Sequence, residues 1–257
     1  MELRGDRIAF VASERPDAQA ALAALAPRYP GVPVEEADVV VALGGDGLML
    51  QVLHQLMGTG TPVYGMNRGT VGFLMNEFDL DGLVDRLAQA HRSVVHPLDM
   101  QVCDVEGHCH QAHAINEVSM LRQIHQTARL TIAVDGRIWL ESLIADGALI
   151  ATPVGSTAYN LSVNGPILPL NAPLLALTPI SAFRPRRWRG ALLPDHARIR
   201  VTVNEPEHRP VSAVADHTEF RRVASVDVAL DRSIDLVMLH DPGHGLEERI
   251  LREQFGA

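Results

Sequence analysis

The hydrophobic periodicity of this chain changes once, near His96 and Pro97, and no other feature limits the fold as strongly. Before that point, short apolar runs alternate with segments in which apolar residues recur at helical spacing. Such alternation with short connections is typical of an α/β layer built on a parallel sheet. The predicted strands cover residues 6–12, 38–43 and 61–66, and the predicted helices cover residues 16–27, 48–57 and 79–91.

Beyond Leu98 the apolar residues recur at about every second position, which indicates strands with one buried face. The pair Asp135-Gly136 stands between two such runs and predicts a tight hairpin. Further strands are predicted over residues 197–204, 210–216 and 226–231.

These patterns predict an α/β plus all-β chain. An N-terminal α/β domain with a parallel sheet covers residues 1–97, and a C-terminal β-rich domain covers residues 98–242. The final segment, 243–257, has the composition of a helix, and we expect it to pack back on the first domain.

The charged residues exclude several kinds of chemistry. All 22 basic residues are arginine, so the chain has neither the lysine of a Walker A loop nor a Schiff-base lysine. Any phosphate chemistry must therefore use backbone N–H groups, arginine or a metal ion. The formal net charge of −9 argues against a protein that binds nucleic acid through bulk positive charge.

The apolar stretches are all shorter than the roughly 18 residues that a membrane helix needs. The N-terminus is charged and then strand-like, unlike a signal peptide. We therefore expect a cytoplasmic protein without a membrane partner. The two cysteines, Cys103 and Cys109, argue against a disulfide framework.

The stretch Gly44-Gly45-Asp46-Gly47 follows an apolar strand and precedes a helix, which is where α/β folds bind ligands. Glycines there let the backbone approach phosphates, so Gly44 and Gly45 are predicted to bind phosphate. Asp46 would repel phosphate, so it needs a task, such as accepting a proton from a hydroxyl or holding Mg²⁺. A tight turn with Asp46 as N-cap remains the alternative.

Residues 152–160 (TPVGSTAYN) gather hydroxyls, a tyrosine and an asparagine, six residues after Asp146. Such a surface could bind a base or a ribose, with Tyr159 stacked on a ring. A chain of turns stabilised by Ser and Thr side chains is the alternative.

Asn116 and Glu117 form a polar pair inside an otherwise strand-like run. A vicinal diol could hydrogen-bond to both side chains, because the carboxylate accepts hydrogen bonds from hydroxyls and the amide can both donate and accept them. A β-bulge is the alternative.

Together these three motifs, at these spacings, resemble those of the bacterial NAD kinases. The stretch NRGTVGFL (67–74) and the pair Asp216-His217 are also similar to that family. The resemblance implies transfer of a phosphoryl group from ATP, with Mg²⁺, to the 2′-hydroxyl of the adenosine ribose of NAD. It also implies an α/β domain and a β-rich domain with the active site between them, assembled as a homodimer or homotetramer.

The resemblance assigns roles to individual residues. Asp46 matches the catalytic base, Phe73 the ring near the adenine, and Asp146 the acid at the nicotinamide end. The complete set that it places at NAD is Asp46, Gly47, Phe73, Asn116, Glu117, Asp146, Thr157, Ala158, Tyr159, Asn160, Leu161 and Ser162. No residue is assigned as a metal ligand. Val154, Asn164 and Ile144 depart from the family's usual residues, so the preference between NAD and NADH stays open.

Two other functions remain open at this point. Diacylglycerol and sphingosine kinases also carry a GGDG turn, and a non-catalytic sensor could keep the dinucleotide site without transferring phosphate. Two local hypotheses also remain. The arginines of FRPRRWRG (183–190) could clamp phosphate or contact another subunit through Trp188, and a solvated loop that balances an acidic protein is the alternative. The cysteines and histidines near Gly107 could bind zinc, but their C-x₅-C-H spacing matches no common zinc site.

Overall fold

A computed structural model of the protein describes residues 7–69 and 72–243. It divides the chain into two compact units. The first unit is built by the chain up to Val95 together with the segment that begins at Ser233, and the second unit is built by His96–Arg232. Within the described ranges, no helix is both long and apolar enough to span a lipid bilayer.

The first unit holds a five-stranded sheet that is mostly parallel. In spatial order its strands are β1 (Ile8–Ala12), β2 (Val39–Gly44), β3 (Val63–Asn67), β17 (Leu236–His240) and β4 (His91–Val95). Neighbouring strands are parallel from β1 to β17, and β4 is antiparallel to β17. Every residue of β2 is buried, as expected for a parallel strand that is covered on both faces.

The helices of this unit lie close to the predicted positions. They are α1 (Pro16–Leu25), α2 (Asp46–Gln55) and α3 (Leu83–Gln89). α1 begins with proline at its first turn, where the fixed φ angle suits a helix start. α3 is shorter than predicted, because Gly82 takes a left-handed conformation before it and β4 begins at His91.

The strand β17 does not follow the predicted domain division, which ended the β-rich domain at residue 242. All five residues of β17 are buried, and the strand lies between β3 and β4 in the first sheet. A short, fully apolar run suits a buried strand of a parallel sheet better than a half-exposed antiparallel strand. The predicted helix that packs back falls almost wholly on 244–257, outside the described residues.

The second unit holds two antiparallel sheets of six strands each. One sheet has the order β12 (Ala191–Pro194), β11 (Leu174–Ile180), β10 (Gly147–Ala151), β7 (Glu117–Arg122), β14 (Val211–Ala215) and β15 (Thr218–Phe220). The other has the order β6 (Cys109–Ala114), β5 (Leu98–Asp104), β16 (Val223–Leu230), β13 (Ile199–Val203), β8 (Ala128–Val134) and β9 (Arg137–Ala145). One apolar cluster draws buried residues from both sheets, so the two sheets share a core. A short helix, α4 (Tyr159–Ser162), follows β10.

The hairpin between β8 and β9 confirms the predicted turn. Asp135 and Gly136 both have positive φ angles, 51° and 79°, as a type I′ turn requires.

The hairpin between β5 and β6 differs from the expectation about cysteines. Cys103 and Cys109 stand opposite each other in the strand register and are joined by a disulfide. A tight turn between the two strands brings these residues, six positions apart, face to face. The bonded pair offers no thiolate to zinc, and His110 stacks on Phe220 instead, so the structure does not support the zinc hypothesis.

Candidate functional site

The turn after β2 presents Asp46 at the start of α2. The helix N-cap is Gly45, and no side chain caps the helix. The two Asp46 oxygens instead accept hydrogen bonds from the backbone N–H groups of Phe73 (2.7 Å) and Leu74 (2.8 Å). Asp46 is therefore not the N-cap of its own helix, and it anchors the segment that carries Phe73.

The glycines of this turn differ in how strongly the fold requires them. A Cβ atom on Gly44 would lie 2.8 Å from Leu48, so that position needs the small residue. A Cβ atom on Gly45 or Gly47 would meet nothing within 4 Å, and neither residue has a positive φ angle. The fold alone does not explain these two glycines, which favours the hypothesis of a ligand close to the backbone over that of a simple turn.

The segment that carries Phe73 is held by Asn76, which is not among the residues predicted from the sequence. Asn76 is fully buried, and its amide donates to the carbonyl oxygens of Gly65 and Leu239, each at 3.0 Å. Its own side-chain oxygen accepts from the N–H of Asp241 (3.0 Å). Asn76 lies between the stretch 67–74 and the predicted helix 79–91, where no element or site residue was predicted.

In the second unit, the pair Asn116-Glu117 is held at its backbone from two sides. On one side the Asn116 carbonyl accepts from the N–H of Thr152 (2.9 Å), and a Cβ atom on Gly155 would lie only 2.1 Å from that carbonyl oxygen. On the other side the Asp216 carboxylate accepts from the N–H groups of Ile115 (2.6 Å), Asn116 (3.0 Å) and Glu117 (3.2 Å). The structure therefore brings together three stretches that are spread over about a hundred residues of the sequence.

The Glu117 carboxyl group sits in an unusual environment. One of its oxygens is buried without a hydrogen-bond partner in the described part of the chain. Burial, and then the negative charge of Asp216, raise the pKa of Glu117 to about 7. The same carboxyl group and that of Asp146, after burial, raise the pKa of Tyr159, so these three predicted site residues are near enough to interact.

Asp146 is paired in the structure. Its carboxylate accepts from the guanidinium of Arg122 at 2.6 Å, and its backbone carbonyl accepts from the Arg122 N–H at 2.9 Å. Arg122 lies on β7, the strand that begins at Glu117. Arg122 is not among the residues predicted from the sequence.

The predicted adenosine segment, 157–162, begins at the last residue of a 3-10 helix (Gly155–Thr157) and contains α4. Thr157, Ala158 and Tyr159 are partly exposed, and so is Leu161, whereas Ser162 is exposed. Asn160 is fully buried, and its amide donates to the carbonyl oxygens of Ser156 and Pro166 and accepts from the Thr178 hydroxyl. The buried Asn160 side chain therefore stabilises the conformation of the segment.

The arginine-rich stretch 184–189 is mostly exposed. The guanidinium groups of Arg184 and Arg186 lie 5.6 Å and 5.4 Å from the centre of the Phe183 ring. Trp188 packs against the core of the second unit. A cavity of about 230 Å³ lies beside the stretch and is lined by Arg186 and Arg189 together with Ser162, which keeps the phosphate-clamp hypothesis open.

Comparison with known proteins decides the family. Models of the ATP-NAD kinase N-terminal and C-terminal domains match residues 31–90 and 115–233. An NAD kinase from Hyphomonas neptunium is 59% identical over 249 residues, which cover 97% of this chain and 98% of that protein. An NAD kinase from Caulobacter vibrioides is 57% identical over 251 residues, which cover 98% of this chain and 96% of that protein. The chain belongs to the NAD kinase family.

Solved structures agree with this family at the level of the fold. Yeast NADH kinase complexed with NADH superposes with a TM-score of 0.84 at 22% identity, over 97% of this chain and 87% of that one. An NAD kinase from Archaeoglobus fulgidus in complex with ATP gives a TM-score of 0.74 at 22% identity, over 97% of each chain. The predicted family and the predicted α/β plus β-rich architecture are both confirmed, whereas the roles of individual residues stay predictions.

Proposed function

We propose that this chain transfers the γ-phosphoryl group of ATP to the 2′-hydroxyl of the adenosine ribose of NAD and releases NADP, with Asp46 as the general base. The observation that carries the proposal is near-full-length identity of 52–59% to curated NAD kinases in a chain that keeps the GGDG aspartate. The lipid-kinase alternative is set aside, because the matching family models cover parts of both units.

The chemistry suits the geometry of Asp46. A ribose hydroxyl is a poor nucleophile near neutral pH, and a carboxylate within hydrogen-bond reach can accept its proton while the O–P bond forms. The two N–H groups of Phe73 and Leu74 fix the carboxylate and leave lone pairs on both oxygens for that proton. The anchored carboxylate needs little reorganisation as the reaction proceeds.

The other predicted residues bind and orient the substrates. Gly44 and Gly45 admit phosphate close to the backbone, while Gly47 and Phe73 flank Asp46. In the second unit, Asn116 and Glu117 hydrogen-bond a ribose diol, Asp146 lies at the nicotinamide end, and the segment 157–162 lines the adenosine.

Mg²⁺ enters with ATP as part of the substrate and neutralises the charge that develops on the phosphates. This neutralisation matters more here than in a P-loop enzyme, because the chain contains no lysine. We further infer that the chain forms a homodimer or homotetramer. The exposed apolar side chains of Ile138, Trp139 and Leu192 support this inference.

The test incubates the purified chain with NAD, ATP and MgCl₂ and measures NADP with an NADP-specific dehydrogenase. Parallel reactions replace NAD with NADH or with diacylglycerol, and ATP with inorganic polyphosphate. Formation of NADP from NAD and ATP supports the proposal. Binding of NAD without NADP formation would identify a non-catalytic sensor, and phosphorylation of the lipid alone would overturn the assignment.

A further inference from the structure

We propose that Asp216 is a positioning residue: its carboxylate fixes the backbone of residues 115–117 and so orients the Asn116 and Glu117 side chains toward the dinucleotide. This proposal rests on the proposed function, because it assigns Asp216 a role in binding NAD.

The segment that Asp216 holds cannot satisfy its backbone by itself. It lies between the end of β6 at Ala114 and the start of β7 at Glu117, where the strand changes sheets. Three consecutive N–H groups there point to one acceptor, and a carboxylate is the strongest acceptor that a side chain offers. All three bonds go to Asp216, at 2.6, 3.0 and 3.2 Å.

Asp216 is itself held firmly. It lies in the turn between β14 and β15 with a φ angle of 50°, and β14 pairs with β7. Its backbone N–H donates to the Glu117 carbonyl at 3.2 Å. Asp216 therefore hydrogen-bonds to the same segment through both its backbone and its side chain.

The opposite side of the segment is closed as well. The Thr152 hydroxyl donates to the Ile115 carbonyl at 2.7 Å, and the Thr152 N–H donates to the Asn116 carbonyl at 2.9 Å. Because the backbone of this segment is hydrogen-bonded on both sides, a ligand would bind to the side chains of Asn116 and Glu117.

Asp216 also contributes to the electrostatics of Glu117. Burial and then the negative charge of Asp216 raise the pKa of this carboxyl group to about 7. The titratable group that acts on this carboxyl is Asp216 from the β14–β15 turn, and the carboxyl in its turn, after burial, raises the pKa of Tyr159 on α4. Since the ionised carboxyl accepts hydrogen bonds from ribose hydroxyls, NAD binding should strengthen as pH rises through 7 in the natural chain. Removing the Asp216 charge should move that rise to lower pH.

The test compares the natural chain with Asp216→Asn, which keeps the shape and removes the charge. We expect the KM and the Kd for NAD to increase at least tenfold. The kcat and the KM for ATP should stay within threefold of the values for the natural chain. The pH at which kcat/KM for NAD increases should be lower by at least half a pH unit. These effects follow because ground-state binding is weakened while the reacting groups are untouched. Glu219→Gln, on the same hairpin, serves as the control and should change none of them.

Several outcomes would overturn the proposal. An unchanged KM for NAD would do so, as would a lower kcat with unchanged KM and pH profile, which indicates only a loss of folded enzyme. If Asp216→Asn does not fold, Asp216→Glu keeps the charge but displaces the oxygens, and it must still raise the KM for NAD. If the natural chain forms no NADP but binds NAD, the proposed function fails, and the Kd comparison still tests Asp216.

Discussion

At the scale of single residues, Asp46 combines an observed structural role with the proposed role of general base. Its oxygens hold the N–H groups of Phe73 and Leu74, so a substitution must be judged on stability as well as on turnover. Asp46→Asn keeps one good acceptor and turns an amide NH₂ toward the other N–H, at a cost of about 1–2 kcal/mol in unfolding free energy. Without the base, we expect kcat for NADP formation to fall by about 10²–10⁴.

The measurements for this variant are thermal unfolding, NAD binding and steady-state kinetics. Asp38→Asn is the control, because it removes an exposed carboxylate that pairs with Arg7 and should leave kcat unchanged. Full turnover in a folded Asp46→Asn variant would contradict the general-base role.

Glu117 allows a test of the environment of the predicted NAD-binding pair in the second unit through stability alone. Its pKa in the folded chain, about 7, lies above the ordinary value of 4.5. Below pH 4.5 both states bind the proton and no penalty exists. As pH rises from 4.5 to 7, the unfolded chain ionises first, so the folded state loses stability, and the full penalty is present above pH 7.

Glu117→Gln removes that penalty. Its unfolding free energy relative to the natural chain should therefore increase by about 2 kcal/mol between pH 5 and pH 8, after allowance for partial solvent screening. Urea unfolding at the two pH values measures the difference. Glu141→Gln, at an exposed carboxyl on β9, should show no pH-dependent gain, and an equal gain in both variants would contradict the assignment.

At the scale of secondary-structure elements, the turn between β2 and α2 contains one glycine that packing requires, Gly44, and one that packing does not require, Gly47. A methyl group at Gly47 meets no atom within 4 Å and lies in the first turn of α2. Gly47→Ala should therefore keep or raise stability, by up to about 1 kcal/mol from helix propensity. If substrate packs against this backbone, NADP formation should fall at least tenfold.

The matched control is Gly44→Ala, where the new methyl group would press on Leu48 at 2.8 Å. Overpacking should cost about 1–3 kcal/mol there, so this variant should lose stability in thermal unfolding. Full activity in Gly47→Ala would show that the glycine is not required for substrate approach.

The elements also show what sequence could and could not predict. The strand, turn and helix around GGDG were predictable because this motif is local, whereas the binding roles of Asn116 and Glu117 stay predictions. Asp216 was noted as similar to the family, but its three hydrogen bonds depend on the pairing of β14 with β7, which joins residues about a hundred positions apart. The place of β17 between β3 and β4 has the same long-range origin.

At the scale of the whole molecule, the second unit exposes apolar surface where both of its sheets end. β9 and β12 are edge strands, and a cavity of about 660 Å³ between them is lined by Leu140, Leu177 and Trp188. Beside it Trp139 is 65% exposed. Edge strands that carry large exposed apolar side chains invite pairing with another chain. We expect a second copy of the chain to cover this surface.

Trp139→Ser tests that expectation, because it removes the largest exposed ring and leaves the core untouched. We expect the natural chain to sediment as a dimer or tetramer. The variant should dissociate more readily, so that its dissociation to a smaller species occurs at a protein concentration at least tenfold higher than for the natural chain. Ile124→Ser, which removes an exposed apolar side chain outside the cavity lining, should leave the sedimentation coefficient unchanged.

A natural chain that sediments as a monomer would contradict the proposed assembly, whereas an oligomer that Trp139→Ser does not weaken would place the interface on another surface. The second result would leave the residue-scale predictions intact, since each concerns contacts within one chain.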